Sequence, residues 1–238
     1  MSIKAVLFDL DGTLLSMDQD NFIKTYMGAL TKYHAPRGYD PDLFMKALWK
    51  GTGAMVANDG SALNEDVFWD TFSAVFNGID AREDEPYFDK FYREVFDTVS
   101  VVRTLDARSA EIVNYVKEKG LRPILATNPL FPAIATEKRI RWAGLEPEDF
   151  EFFTSYENST FSKPSLGYYE EVLKRASLTA EECLMVGNDV SDDMVAQRLG
   201  MKVFLLTDNL INKDGEDIDK YPSGSFEALR EYIDKITA

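Results

Sequence analysis

Residues 3–13 of the chain read IKAVLFDLDGT, a short apolar run that ends abruptly in two aspartates, a glycine and a threonine. An uninterrupted apolar run of this length is typical of a strand buried on both faces, as in a parallel sheet. In open α/β sheets, ligands bind at the carboxyl ends of the strands. We therefore predict that Asp9 and Asp11 stand at a functional strand end.

The rest of the chain alternates apolar runs with amphipathic stretches. Further strands are predicted at residues 123–126, 150–154, 183–186 and 202–206. Helices are predicted between them at residues 107–119, 131–143, 168–176 and 193–199, the last one ended by Gly200. This alternation predicts an α/β fold with a doubly wound, Rossmann-like parallel sheet and right-handed crossovers.

One long segment carries helical patterns only, from about Asp18 to Thr98. We predict that residues 17–99 form an all-helical domain inserted into an α/β core of residues 1–16 and 100–238. Asn64 is the predicted N-cap of one of its helices. Aromatic residues recur at helical spacing over 67–76 and 87–96. These stripes are expected to form the core of the insert, with the lining of a substrate cavity as the alternative.

Composition and charge limit the classes of partner. The 238 residues carry a net charge of −15, which repels nucleic acids and anionic membranes. No apolar run is long enough to span a bilayer and no signal peptide precedes the first strand, so we expect a cytoplasmic monomer. The one cysteine, Cys183, is predicted to be buried, and the one histidine, His34, to lie on the surface in a turn.

Polar residues follow the other predicted strands as well. Thr127 and Asn128 come after the second strand, residues 187–193 read GNDVSDD after the fourth, and Lys163 stands in a loop. Carboxylates that converge on one sheet edge repel each other unless a divalent cation lies between them, and hard oxygen ligands suit Mg²⁺. A free carboxylate there can attack phosphorus, while a second one serves as acid and base.

In their order along the chain, these motifs resemble those of the haloacid dehalogenase (HAD) superfamily. Residues 9–13 (DLDGT) look like its first motif, Thr127 its second, Lys163 its third, and Asp189 with Asp193 its fourth. The helical insert is similar to the family's C1-type cap domain. The resemblance covers nearly the whole chain.

The resemblance implies a role for each matching residue. Asp9 is the expected nucleophile and a metal ligand, and Asp11 the acid and base that also ligates Mg²⁺ through its backbone carbonyl. Thr127, Asn128 and Lys163 are expected to bind the phosphoryl group, with Lys163 also screening the charge of Asp9. Asp189 is expected to complete the metal site.

The fourth motif departs from the usual pattern, because Asn188 directly follows the glycine where the family often has an aspartate. Asn188 and Asp193 are therefore possible metal ligands. The second acid of the motif is either Asp192 or Asp193, and we prefer Asp193. Read singly, these acids are also good caps for a following helix.

The predicted activity is a Mg²⁺-dependent phosphatase that hydrolyses a small phosphorylated metabolite through an aspartyl-phosphate. Asp11 favours phosphoryl transfer over dehalogenation, because the family's dehalogenases lack this second aspartate. A phosphomutase, a receiver-like module and a metal-binding module that has lost activity stay open as alternatives. A phosphonatase would need a cap lysine, and nothing distinguishes Lys46 or Lys50.

The cap is expected to select the substrate, a nucleotide, a sugar phosphate or a phosphoglycolate-like ester. Its aromatic content favours a nucleotide. Residues 51–53 (Gly51, Thr52, Gly53) and the loop at 58–60 are candidate mobile or substrate-facing segments. Simple helix termination is the slightly preferred interpretation of both.

Overall fold

The computed structural model describes residues 2–76 and 80–238. Its strands are β1 (Ala5–Phe8), β2 (Ser16–Met17), β3 (Arg103–Thr104), β4 (Arg122–Leu125), β5 (Cys183–Gly187), β6 (Lys202–Leu206) and β7 (Ser223–Gly224). Its α-helices are α1 (Gln19–His34), α2 (Pro41–Val56), α3 (Asn64–Ala74), α4 (Glu85–Glu94), α5 (Ala107–Glu118), α6 (Ala133–Trp142), α7 (Leu166–Ala176) and α8 (Phe226–Thr237). None of them is both long and apolar enough to cross a bilayer.

Five strands form one parallel sheet in the order β4-β1-β5-β6-β7. β1 lies in the interior of the sheet, and all four of its side chains are buried. Ala5 and Leu7 pack on one face of the sheet, Val6 and Phe8 on the other. This two-sided burial explains why the strand sequence shows no polar alternation, and it confirms the predicted doubly wound α/β core.

The strand predicted at residues 150–154 is wrong in part. This segment runs beside β4 and pairs with it in a single bridge, Phe153 to Leu125, without forming a continuous strand. The backbone N–H of Leu125 donates to the carbonyl of Phe152. Because alternate residues of a strand point their N–H groups to the same side, the next donor toward this segment would be residue 123. That residue is Pro123, which has no N–H, and the ladder is therefore short.

The segment between β2 and β3 contains α1 to α4 with short 3₁₀ turns among its described residues. β2 pairs with β3 in an antiparallel ribbon, Ser16 opposite Thr104 and Met17 opposite Arg103, so both ends of the helical segment lie side by side. Its aromatic stripes are largely buried, as expected of a helical core. The domain boundaries at 16/17 and 99/100 stay a prediction.

Several local expectations are corrected. Asn64 is the first residue of α3 rather than its N-cap, and its buried side chain instead donates toward Pro129 O, Phe161 O and Ser162 Oγ of the sheet domain.

His34 is fully buried at the end of α1 and not on the surface. The predicted helix at 193–199 is a 3₁₀ helix, Met194–Leu199, ended by Gly200 at a φ of +98° as expected. Cys183 is buried, as predicted.

Candidate active site

A cleft of about 370 Å³ opens at the carboxyl ends of the parallel strands. All nine sequence-predicted residues of the sheet domain line it: Asp9, Asp11, Thr127, Asn128, Lys163, Asn188, Asp189, Asp192 and Asp193. They come from four separate stretches of the chain. Parallel strands bring their carboxyl ends to one edge, so the sheet itself assembles this set.

Asp9 directly follows β1, and its backbone N–H donates to Val186 O of β5. Its carboxylate accepts a hydrogen bond from Lys163 Nζ on Oδ1 at 2.8 Å. Its Oδ2 lies 3.2 Å from the hydroxyl of Thr13. The residue keeps 8% of its surface exposed, on the cleft side. Asp9 is thus held in one orientation while a ligand in the cleft can still reach it.

Lys163 is a buried cation between two carboxylates. Its Nζ donates to Asp9 at 2.8 Å and to Asp193 Oδ1 at 2.7 Å. Burial alone would lower the pKa of the Lys163 ammonium, but Asp193 and Asp9 outweigh it and raise that pKa well above its usual value. Lys163 therefore stays charged at neutral pH.

Asp193 uses both of its oxygens within the protein. Oδ1 accepts from Lys163, and Oδ2 accepts from the backbone N–H of Asp189 at 3.0 Å. A Cβ on Gly187, the last residue of β5, would lie 2.0 Å from Asp193 Oδ2. Position 187 therefore has to be glycine, because a larger side chain would displace the Asp193 carboxylate from its contact with Lys163.

Asn188 is likewise occupied at both ends of its amide. Its Oδ1 is 2.9 Å from the Thr13 hydroxyl, and its Nδ2 donates to Asn209 O at 2.7 Å. Gly12 approaches it closely at a φ of +86°, and a Cβ there would lie 2.3 Å from Nδ2. Asn188 thus ties the turn after β1 to the loop after β6.

Asp189 and Asp192 lie in the turn that follows β5. Oδ1 of Asp189 accepts from the backbone N–H groups of Ser191 and Asp192, at 2.8 and 3.0 Å, so this carboxylate caps the turn. Asp192 Oδ2 accepts from Asn128 Nδ2 at 3.3 Å, and burial raises the pKa of its carboxyl. Asp189 therefore caps the turn and not the predicted helix, since the 3₁₀ helix Met194–Leu199 has no side-chain capping hydrogen bond. Asp189 and Asp192 also line the cleft.

Thr127 and Asn128 are fixed by hydrogen bonds around the end of β4. The carbonyl of Thr127 accepts from the hydroxyls of Thr154 and Tyr168, at 2.6 and 2.9 Å. Asn128 Oδ1 accepts from the backbone N–H of Lys163 at 3.3 Å. The loops that carry the second and third motifs are therefore joined directly.

Sequence reasoning missed Arg139, whose buried guanidinium pairs with Asp11 Oδ2. The other oxygen, Asp11 Oδ1, is buried without a hydrogen-bond partner among the described residues. Burial raises the pKa of the Asp11 carboxyl, and Arg139 opposes this rise. The pattern that indicates Arg139 is a cation on the buried stripe of α6, between Thr136 and Ile140.

The oxygen donors in the cleft fit Mg²⁺ chemically. Among residues 2–76 and 80–238, no three His, Cys, Asp or Glu side chains converge in a geometry suited to a metal. Mg²⁺ does not need such a cage, because one or two carboxylates with water and a substrate phosphate suffice. Asp9 and Asp189 offer carboxylates, and Asp11 a backbone carbonyl that now accepts from Gln19 Nε2 at 3.3 Å.

The predicted mobile segment at Gly51, Thr52 and Gly53 lies inside α2 and neither ends that helix nor forms a loop. Gly51 packs against α3, since a Cβ there would lie 2.6 Å from the Phe68 ring, whereas Gly53 faces open space. Thr52 lines a second cavity, of about 140 Å³. None of the three lines the cleft around Asp9.

Comparisons with known proteins agree with this geometry. The family model of haloacid dehalogenase-like hydrolases matches residues 3–209, and the chain belongs to that family. The chain is 26% identical to a glyceraldehyde 3-phosphate phosphatase of Methanothermobacter thermautotrophicus over 92% of either chain. It is 25% identical to a phosphoglycolate phosphatase of Colwellia psychrerythraea, over 97% of this chain and 95% of that one.

Among solved structures, a 2-haloacid dehalogenase from Pseudomonas syringae has a similar fold. Its TM-score is 0.64 at 21% identity, and the match covers 98% of this chain and 99% of that one. These findings confirm the predicted superfamily and fold. The names of the two curated relatives support the prediction of a phosphatase.

Proposed function

We propose that the protein is a Mg²⁺-dependent phosphatase that hydrolyses small phosphate monoesters through an aspartyl-phosphate on Asp9. The observation that carries this proposal is the position of the Asp9 carboxylate. It follows β1 at the cleft, with the Lys163 ammonium 2.8 Å from one oxygen and the Thr13 hydroxyl 3.2 Å from the other. Both curated relatives are named phosphatases, which agrees with this chemistry.

In this reaction Asp9 attacks phosphorus, and the bond from phosphorus to the leaving oxygen breaks as the new bond forms. Asp11 gives a proton to the leaving alcohol and later takes one from the water that attacks the aspartyl-phosphate, releasing inorganic phosphate and free Asp9. Arg139 occupies Asp11 Oδ2, which leaves Oδ1 as the carboxyl oxygen without a hydrogen-bond partner among the described residues. Mg²⁺, bound through Asp9, Asp189 and the Asp11 carbonyl, would supply charge neutralisation at the phosphoryl group.

Two residues that the sequence offered as metal ligands have other roles in this proposal. Both carboxylate oxygens of Asp193 accept hydrogen bonds, one from Lys163 and one from the backbone N–H of Asp189. Both polar atoms of the Asn188 amide are also bonded, to Thr13 and to Asn209. We infer that Asp193 positions Lys163, and that Asn188 positions Thr13. Asp189 then provides the second carboxylate for Mg²⁺.

The test is phosphate release from a panel of phosphorylated metabolites, with Mg²⁺ or with a chelator. Release should require Mg²⁺ and vanish in Asp9→Asn, whereas Asp42→Asn on an exposed position of α2 should match wild type. Asp11→Asn should lose about 100-fold or more in kcat/KM. Release by Asp9→Asn at the wild-type rate would refute the mechanism.

A mutase is distinguished in the same assay. It would use the same residues but return the phosphoryl group to an organic hydroxyl, so isomerised sugar phosphate would appear in place of inorganic phosphate. Turnover to isomer without phosphate release would favour that alternative over the phosphatase.

A further inference from the structure

A second cavity, of about 140 Å³, lies between the helical segment and the sheet domain. Helices α1 to α4 provide most of its wall, and residues 130–132 and Tyr156 close it on the sheet side. Ile23, Leu130 and Phe131 line both this cavity and the cleft that holds Asp9. The cavity and the cleft are therefore neighbours that share part of their lining.

The wall of this cavity is largely apolar, and no cationic side chain is among its described lining residues. Apart from two acids, its described lining consists of aromatic and aliphatic side chains with one threonine, Thr52. The two acids are Glu85, which is paired with Arg82 at 3.2 Å, and Asp89. The hydroxyls of Tyr26 and Tyr92 bond to each other at 2.7 Å. The described lining offers no Lys, Arg or His, and the nearby Arg139 lies behind the Phe131 ring, 4.3 Å from its centroid, and pairs with Asp11. An anionic group entering the cavity would therefore lose its hydration without a cation in the wall to pair with.

Trp69 in the wall carries a donor without an acceptor. Its residue is 2% exposed, and Nε1 has no hydrogen-bond partner among the described residues. Burial raises the pKa of the Tyr156 hydroxyl, and the nearby Trp69 opposes this rise. No hydrogen bond of normal geometry joins Trp69 Nε1 to Tyr156. Trp69 therefore contributes an apolar ring to the cavity wall, and its buried Nε1 presents no exposed donor to a ligand.

The cavity also continues toward solvent. Ile23, Met27 and Trp49 line it and also line an open groove on the outside of α1 and α2. Ile23 and Trp49 are 37% and 49% exposed, two of the few large apolar side chains on the surface. Apolar surface thus runs from the edge of the catalytic cleft, through the cavity, to the exterior.

We propose that this cavity binds the leaving group, and that the preferred substrates are phosphate monoesters of uncharged, apolar alcohols. The proposal rests on the phosphatase activity proposed above and specifies its substrate class. An enzyme for phosphoglycolate would differ, because its leaving group carries a carboxylate, and the described lining of this cavity offers that carboxylate no cation.

The experiment measures kcat/KM for straight-chain alkyl phosphates from ethyl to hexyl, which share nearly the same leaving-group chemistry. Each added methylene should raise kcat/KM about three- to fourfold until the cavity is filled, and longer chains should reach a plateau because the outer end is open. Replacing the terminal methyl by a carboxylate should lower kcat/KM at least about tenfold.

Thr52→Phe narrows the cavity from α2 and should remove the dependence of kcat/KM on chain length. Lys50→Phe introduces the same side chain on an exposed position of the same helix and should keep that dependence. Thr52→Leu is the milder variant if Thr52→Phe fails to fold. The wild-type series alone already decides the question.

The outcomes separate the two proposals. Phosphate release with equal kcat/KM along the series, or with the carboxylates preferred, would overturn the leaving-group assignment and leave the phosphatase intact. No release from any ester, with Mg²⁺ present, would overturn the phosphatase itself and with it the substrate class.

Discussion

At the scale of single residues, the Lys163 ammonium partly neutralises the carboxylates of the cleft. Asp9 and Asp193 both bond its ammonium, at 2.8 and 2.7 Å, and the three groups are almost wholly buried. Burial raises the pKa of the Asp193 carboxyl to about 7. With both carboxylates ionised, the set carries a net negative charge, which favours a further cation beside Asp9. In the proposed mechanism, Mg²⁺ would neutralise part of the same negative charge that Lys163 neutralises.

Lys163→Met is expected to lower kcat/KM by about 100-fold or more, because the phosphoryl oxygens lose a preorganised donor. It should also destabilise the fold by about 3 kcal/mol, since removing one partner leaves buried carboxylates uncompensated. Kinetics and urea unfolding at pH 7 measure the two effects. Lys174→Met, at an exposed position of α7, is the control. Activity within fivefold of wild type would show that Lys163 is misassigned.

At the scale of elements, two glycines two residues apart in α2 serve different purposes. A Cβ at Gly51 would lie 2.6 Å from the Phe68 ring of α3, whereas Gly53 meets nothing within 4 Å. Gly51 therefore permits the close approach of α2 and α3, and Gly53 only weakens the helix. The sequence shows the same residue type at both positions, and the neighbouring helix alone distinguishes them.

Gly51→Ala should lower the free energy of unfolding by about 1–3 kcal/mol, because the added methyl overpacks the α2–α3 contact. Gly53→Ala should raise it by about 0.5–1 kcal/mol through its better helix propensity. Thermal and urea unfolding of the two variants give the comparison. Equal effects of the same sign would contradict the described packing.

At the scale of the whole molecule, the single histidine links stability to pH. The His34 ring packs 4.1 Å from the Phe88 ring centroid and 5.1 Å from that of Phe44, and its Nδ1 lies 2.9 Å from Leu30 O. Its Nε2 has no partner among the described residues. Burial lowers the pKa of His34 from 6.5 to about 4. The folded protein therefore holds His34 neutral where the unfolded chain would bind a proton.

The stabilisation from neutral His34 is complete above pH 6.5 and is lost as the pH falls toward 4, because only the unfolded state is protonated in that window. The loss should be about 3 kcal/mol at pH 4 relative to pH 7. His34→Phe should remove this part of the pH dependence, measured by urea unfolding at pH 7, 5.5 and 4. Parallel profiles for wild type and variant would show that His34 does not titrate on unfolding.

The sequence by itself determined the strand–helix alternation and the positions of Asp9, Asp11, Thr127, Lys163 and Asp189 at strand ends or in loops. Both follow from local information, since hydrophobic periodicity and turn residues act within one element and parallel strands share one functional edge. The order of the motifs along the chain was enough to indicate the HAD superfamily.

Only the tertiary structure decided which polar groups face one another. The pairing of Arg139 with Asp11, the contact of Asp193 with Lys163 and the burial of His34 each depend on residues far apart in sequence. The shortened pairing at residues 150–154 depends on where Pro123 falls in the neighbouring strand. Such features arise from packing between elements, and a hydrophobic pattern records that a position is buried but not which neighbour it meets.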